Sequence, residues 1–154
     1  MHAKTIAGAA GTTFATLSLA VLTAAAAGAA PVSESYGNQQ KLDDAGGTVT
    51  AWTVDELHPS TDTLPVPVSG TLYEATATVQ AVQGTATPVV TDFNARTATG
   101  ATYHAVPAPT ATGVSPAPLQ AGASNTGKIY FDVTGPAPES VVYSNGGQDL
   151  LIWK

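Results

Sequence analysis

After residue 30 the chain holds only two histidines, His58 and His104, and together with its serines and aspartates they raise the question of acyl-transfer chemistry. That chemistry needs a serine beside an imidazole that is itself held in orientation, and donors for a developing oxyanion. No G-x-S-x-G turn or equivalent frames any serine in this sequence, so three common residue types scattered along the chain do not make a triad. Cation binding is the second possibility. "DELH", Asp55 to His58, with Asp62 close behind, is rich in carboxylates but lacks the oxygen spacing and central glycine of a calcium loop. Asp43 and Asp44 are adjacent, and neighbours on extended chain point to opposite faces, so they share a metal only if the backbone turns there. Both segments read more simply as solvated turns. The absence of cysteine removes disulfides, thiol nucleophiles and thiolate metal sites. No metal site, catalytic residue or cofactor is expected.

What remains is a recognition surface. In "NTGKIYFDVTGPAP", residues 125–138, Ile129, Phe131 and Val133 fall on one side of an extended chain and Lys128, Tyr130 and Asp132 on the other. The polar side, joined by Arg96 and Tyr103 if their strands share its sheet, is a candidate contact surface, because Tyr and Arg offer large contact areas with a polar tip. The simpler alternative is cross-strand pairing on a solvated sheet with no partner.

Alternation of this kind recurs along the chain and predicts the elements that would carry these residues. "GTVTAWTVDEL" places Trp52 and Val54 on one face and ends at the proline-rich "HPSTDTLPVP". "LYEATATVQAV" puts Tyr73, Ala75, Ala77, Val79 and Ala81 on one side, and Gly84 ends it. Val89, Thr91, Phe93 and Ala95 alternate with Asp92, Asn94 and Arg96, and Thr99-Gly100 turns the chain into a partner strand carrying Ala101, Tyr103 and Ala105. Residues 107–123 are a Pro/Ala/Gly-rich loop without a period, suited to a crossing between two sheets. "SVVYSNGGQDLLIW" reads as a hairpin about Asn145-Gly146. No helical period runs through the chain after residue 30. Seven or eight short strands with one apolar face each predict an all-β antiparallel sandwich, with a closed barrel as runner-up. Trp52, Phe93, Phe131 and Trp153 should fill much of its core.

The first residues follow a different logic. A basic start at Lys4, an apolar stretch from about Phe14 to Ala27 and the small residues Ala27-Gly28-Ala29 form a secretory signal peptide over residues 1–29, with Ala30 beginning the mature chain. The stretch is too short for a membrane span, so no membrane insertion is expected after cleavage. A polar N-terminal arm over 30–47, with an edge strand near Lys41, precedes the sandwich at 48–154. After the leader the basic side chains are Lys41, Arg96, Lys128 and Lys154, against eleven Asp and Glu. That balance excludes nucleic acid and anionic lipid as partners, since both are bound through clustered cations.

Particular strings go further than pattern. "EATATVQAVQGTATPVVTDFNART", "DFNARTATGATYH", "NTGKIYFDVTGPAP" and the ending "NGGQDLLIWK" resemble the MPT63/MPB63 family of small secreted mycobacterial antigens, from about Val49 to Trp153 outside the 107–123 loop. The resemblance implies an immunoglobulin-like β-sandwich, export to the extracellular medium and no enzymatic activity, and it carries over no catalytic residue. The expectation is therefore a secreted, non-enzymatic antigen that acts through surface contacts with a protein partner of the host cell or bacterial envelope. A small-ligand or metal-ion binding protein is the alternative, and a small hydrolase a more distant one.

Overall fold

The alternation from Tyr73 to Ala81 lies within Thr71–Gln83, thirteen residues that form the longest strand in the computed structural model of the protein. The structure describes residues 30–154 and the backbone of Thr23–Ala24; the signal-peptide expectation otherwise lies outside the described residues. In chain order the strands are β1 (Thr23–Ala24), β2 (Val32–Glu34), β3 (Gln39–Asp43), β4 (Val49–Val54), β5 (His58–Pro59), β6 (Thr71–Gln83), β7 (Phe93–Arg96), β8 (Thr102–His104), β9 (Ser124–Val133), β10 (Ser140–Asn145) and β11 (Gln148–Trp153). Among the described residues no helix is long and apolar enough to cross a membrane.

The strands form two sheets, and the register shows how they fit. β9 pairs with β6 from Thr71 to Gln80, and β4 pairs with it from Ala77 to Gln83, so the two must occupy opposite edges of β6. β5 meets β6 at Tyr73 and Glu74, beyond the end of β4 on the same edge. β3 extends this first sheet beyond β4. The second sheet runs β2-β11-β10-β7-β8. All its pairs are antiparallel except β2 with β11. The segment 30–47 thus contributes one strand to each sheet.

Between the sheets lies the core that alternation predicts. Trp52, Phe93, Phe131 and Trp153 are all buried there, with Ala75, Ala77, Val79, Ile129 and Val133 of the first sheet facing Val141 and Leu151 of the second. Phe93 is the centre of an aromatic cluster, with its ring 4.8 Å from Trp52 and 5.0 Å from Tyr143, both edge-on. Buried Trp153 keeps its indole N–H bonded to the Asn38 carbonyl at 2.9 Å, which ties the N-terminal segment to the last strand. The immunoglobulin-like sandwich is the observed fold, and a closed barrel is not.

Three details depart from the expectation. The strand expected from Val89 begins only at Phe93, because Pro88 has no N–H to donate and Val90–Asp92 forms a 3-10 turn. The hairpin loop is Gly146-Gly147, one residue later than Asn145-Gly146, since Asn145 pairs with Gln148. Both loop residues have positive φ, 59° and 82°, as a two-residue loop of type I′ requires. The third concerns β9, whose outer face was expected to meet solvent. Residues 105–114 return along its free edge, with Val106 N–H bonded to Tyr130 O, Lys128 N–H to Thr112 O and Val114 N–H to Lys128 O. Together with the segment after β5 they cover that face, and Leu64, Leu72 and Tyr130 form a second small core beneath it. An otherwise bare strand edge is thereby closed.

Candidate functional site

Lys128 and Tyr130 leave β9 on the side away from the sandwich core, because Ile129 and Phe131 occupy the inner positions. Across the ladder Tyr130 stands opposite Glu74. Lys128 Nζ lies 2.6 Å from Asp62 Oδ2 and 3.0 Å from Glu74 Oε1. The Tyr130 hydroxyl donates to Asp62 at 2.7 Å and lies 3.0 Å from Thr112 Oγ1, and the Ser60 hydroxyl donates to Glu74. Hydrogen bonds from Lys128 and then Tyr130 hold the Asp62 carboxyl below the usual range. The same contacts to Asp62 and Glu74 raise Lys128, while burial is the main reason that Tyr130 is raised. One cation and two carboxylates are mutually satisfied, so the group clamps the segment after β5 to β6 and β9.

This cluster also contains Ser60, Glu74 and His58, the residue types of a hydrolase, in an order that does not serve hydrolysis. Glu74 sits between the other two, accepting from Ser60 and lying 3.7 Å from His58 Nε2. A nucleophilic serine needs the imidazole itself as its base, with the carboxylate behind it. His104 is remote, on the outer face of β8 opposite Asn94. Among the described residues no group of three or more His, Cys, Asp or Glu side chains is arranged to hold a metal ion, so Asp43, Asp44, Asp55, Glu56 and Asp62 do not converge on a cation.

The five residues of the expected contact surface fall into two groups. Lys128, Tyr130 and Asp132 are on the first sheet, whereas Arg96 and Tyr103 are on the second. Tyr130 is only 3 % exposed. Asp132 accepts from the backbone N–H groups of Ser69 and Gly70, at 2.8 and 2.7 Å, and so fixes the turn into β6. The Tyr103 hydroxyl donates to Pro136 O at 2.8 Å. Arg96 grips Asp149 with both terminal nitrogens, which depresses the Asp149 carboxyl. Glu74, Ser60 and Asp149 complete these groups, and nothing in the local sequence pattern marks them for it.

Beside Lys128 and Tyr130 a cleft of about 730 Å³ opens between residues 88–91 and the covering segment 106–116. Its walls include Val90, Val106, Pro107, Ala108 and Val114. Val89 at its border is 41 % exposed, one of the few large apolar side chains left in solvent.

Comparison with known proteins agrees with this architecture. The domain family of unknown function DUF1942 matches residues 31–153. The immunogenic proteins MPT63 of Mycobacterium tuberculosis and MPB63 of Mycobacterium bovis are each 45 % identical to the chain over 127 residues, 80 % of either length. The crystal structure of the secreted protein MPT63 from Mycobacterium tuberculosis superposes with a TM-score of 0.79 at 44 % identity, covering 82 % of this chain and 98 % of that one. A secreted immunoglobulin-like antigen is what these likenesses and the architecture describe together. By sequence and by fold, the chain belongs to the MPT63/MPB63 family of secreted immunogenic antigens.

Proposed function

We propose that the protein meets a protein partner on the host cell or the bacterial envelope, and that the cleft between residues 88–91 and 106–116 is where contact is made. The observation that carries this reading is Val89, exposed at the border of a cleft whose walls are apolar. An apolar centre with a polar rim is the anatomy of a recognition patch. Pro107 and Pro109 restrict the loop before contact, which lowers the ordering entropy lost on binding. Lys128 and Tyr130 line the cleft but are held internally by Asp62, so they shape it. After residue 30 the chain carries eleven Asp and Glu against four Lys and Arg, so a partner of net positive charge fits it.

A photoreactive residue at position 89 tests this. It should cross-link one protein from host-cell surface or envelope preparations, and unlabelled protein carrying Val89→Asp should fail to compete. The same group at Val82, an exposed valine on β6, should not form that product. Equal products from both positions, or none, would refute the assignment of the surface.

A further inference from the structure

The first sheet is closed on one flank, where residues 105–114 run along β9, and ends on the other at β3, a strand of five residues. The outer strands of the second sheet, β2 and β8, have three residues each. Among the described residues, what pairs with the outer edge of β3 is β1, which meets Lys41 and Leu42 from within the leader. Removal of residues 1–29 on export takes β1 away and leaves the longest strand edge of the molecule bare. An edge in that state is a template for another strand.

The ladder fixes which groups this edge presents. Asp55 N–H bonds to Thr76 O, so Ala51 and Thr53 turn their backbone groups toward β6, and Thr50 and Trp52 turn theirs toward β3. Thr50 stands opposite Leu42 and Trp52 opposite Gln40. The bond from Asp44 N–H to Thr48 O has the same phase. The N–H and C=O groups of Lys41 and Asp43 therefore point outward, away from β4. Their side chains share the face opposite Leu42, which packs on the core. Among the described residues neither Lys41 nor Asp43 has an ion-pair partner.

We propose that the secreted chain self-associates through this edge, two copies joining their first sheets about a two-fold axis at Leu42. Strands related in this way run antiparallel, and the contact is the same on both copies. Lys41 then stands opposite the partner's Asp43, and Asp43 opposite the partner's Lys41. Because these residues carry the outward backbone groups, each pair exchanges both backbone hydrogen bonds while its side chains bring opposite charges together. Leu42 meets the partner's Leu42 at the non-hydrogen-bonded position, where side chains approach most closely. An axis at Lys41 or at Asp43 sets like charges opposite each other, so the spacing of the two charges selects one register. The joined edge is on the flank of the first sheet away from β9 and the cleft proposed to meet a protein. A pair would present that cleft twice, and either assignment can fail without the other.

The test is sedimentation of the chain recovered from culture medium, with its start near Ala30 verified by sequencing. Its mean mass should rise from one copy toward two between about 10 μM and 1 mM, as suits a small interface. Lys41→Asp, which sets acid against acid in the selected register, should keep its fold and remain a single copy at the top of this range. Asp43→Lys should behave alike, and is read in its place if Lys41→Asp does not fold. Both exchanges in one chain restore opposite charges across the axis and should restore association. Single copies of the parent at every concentration would overturn the proposal and leave the edge to a strand from another protein. Association of a single variant as strong as the parent's, or a folded double variant that stays single, would overturn it equally.

Discussion

Tyr130 on β9 donates its phenolic hydrogen to Asp62 across 2.7 Å, joining positions 68 residues apart in the chain. This bond helps hold the segment after β5 over a strand face that would otherwise be open to water. β9 is therefore buried on both sides, with Phe131 inside the sandwich and Tyr130 beneath the covering loops.

Substitutions on either side of β9 should both be costly. Phe131→Ala should lose about 3 to 5 kcal/mol, and Tyr130→Ala about 2 to 4 kcal/mol. Tyr130→Phe, which keeps the ring and removes the hydroxyl, should lose about 1 kcal/mol. Denaturant midpoints at unchanged slope measure these differences. A loss below about 1 kcal/mol for Tyr130→Ala would mean that the loops do not cover the strand.

Lys128→Met should lower the denaturant midpoint by leaving Glu74, 8 % exposed, without its cation. Glu74→Gln alone should cost about 1 kcal/mol, since its hydrogen bonds weaken but no charge is stranded. The double variant should lose less than the two single losses added together, because the residues share one network. Strict additivity would show that the clamp is not energetically coupled.

Acid should weaken the fold through Asp62 and Asp149. Both carboxyls are depressed in the folded protein, so they bind protons more readily when unfolded. Their contribution is complete above the ordinary aspartate value of about 3.9 and disappears as pH falls through their lowered values. Asp92 acts in the opposite sense: burial raises its carboxyl, so its contribution is present at low pH and is lost as pH rises through the raised value. Asp149→Asn should accordingly show a shallower decline in stability below about pH 4 than the parent, by denaturant titration at each pH. A steeper decline would contradict the pairing with Arg96.

Gly127 faces inward on β9, where a side chain would meet the returning loop: an added Cβ would lie 2.3 Å from the Gly113 carbonyl carbon. Gly127→Ala should push residues 112–114 off the strand edge and cost more than about 2 kcal/mol. Gly46→Ala, where nothing lies within 4 Å, should change stability by less than about 0.5 kcal/mol. Comparable thermal midpoints for the two variants would argue against the close approach.

Export predicts its own chemistry. Protein recovered from culture medium should begin near Ala30 by N-terminal sequencing, in keeping with a small-residue cleavage site at Ala27-Gly28-Ala29. Full-length chain confined to the membrane fraction would contradict cleavage.

Much of this fold was legible in local pattern. The alternation of Ile129, Phe131 and Val133, and of Ala75, Ala77 and Val79, identified strands and their inward faces, because neighbouring side chains on extended backbone must point to opposite sides. Glycine and proline marked where ladders stop, and the four large aromatics are in the core where their hydrophobicity would place them. The site was less legible, since period two shows which side of a strand a residue is on but not which sheet the strand joins or what folds over it. Arg96 and Lys128 look equally available in the sequence, yet their carboxylate partners lie 53 and 66 residues away, on β11, one strand beyond the neighbouring β10, and on the segment after β5. The aperiodic run 107–123 carries no signal that its beginning will close the edge of β9 and help bury Tyr130. Those arrangements depend on long-range packing, in which a bare strand edge and a half-apolar face are covered by whichever segment the topology returns to them.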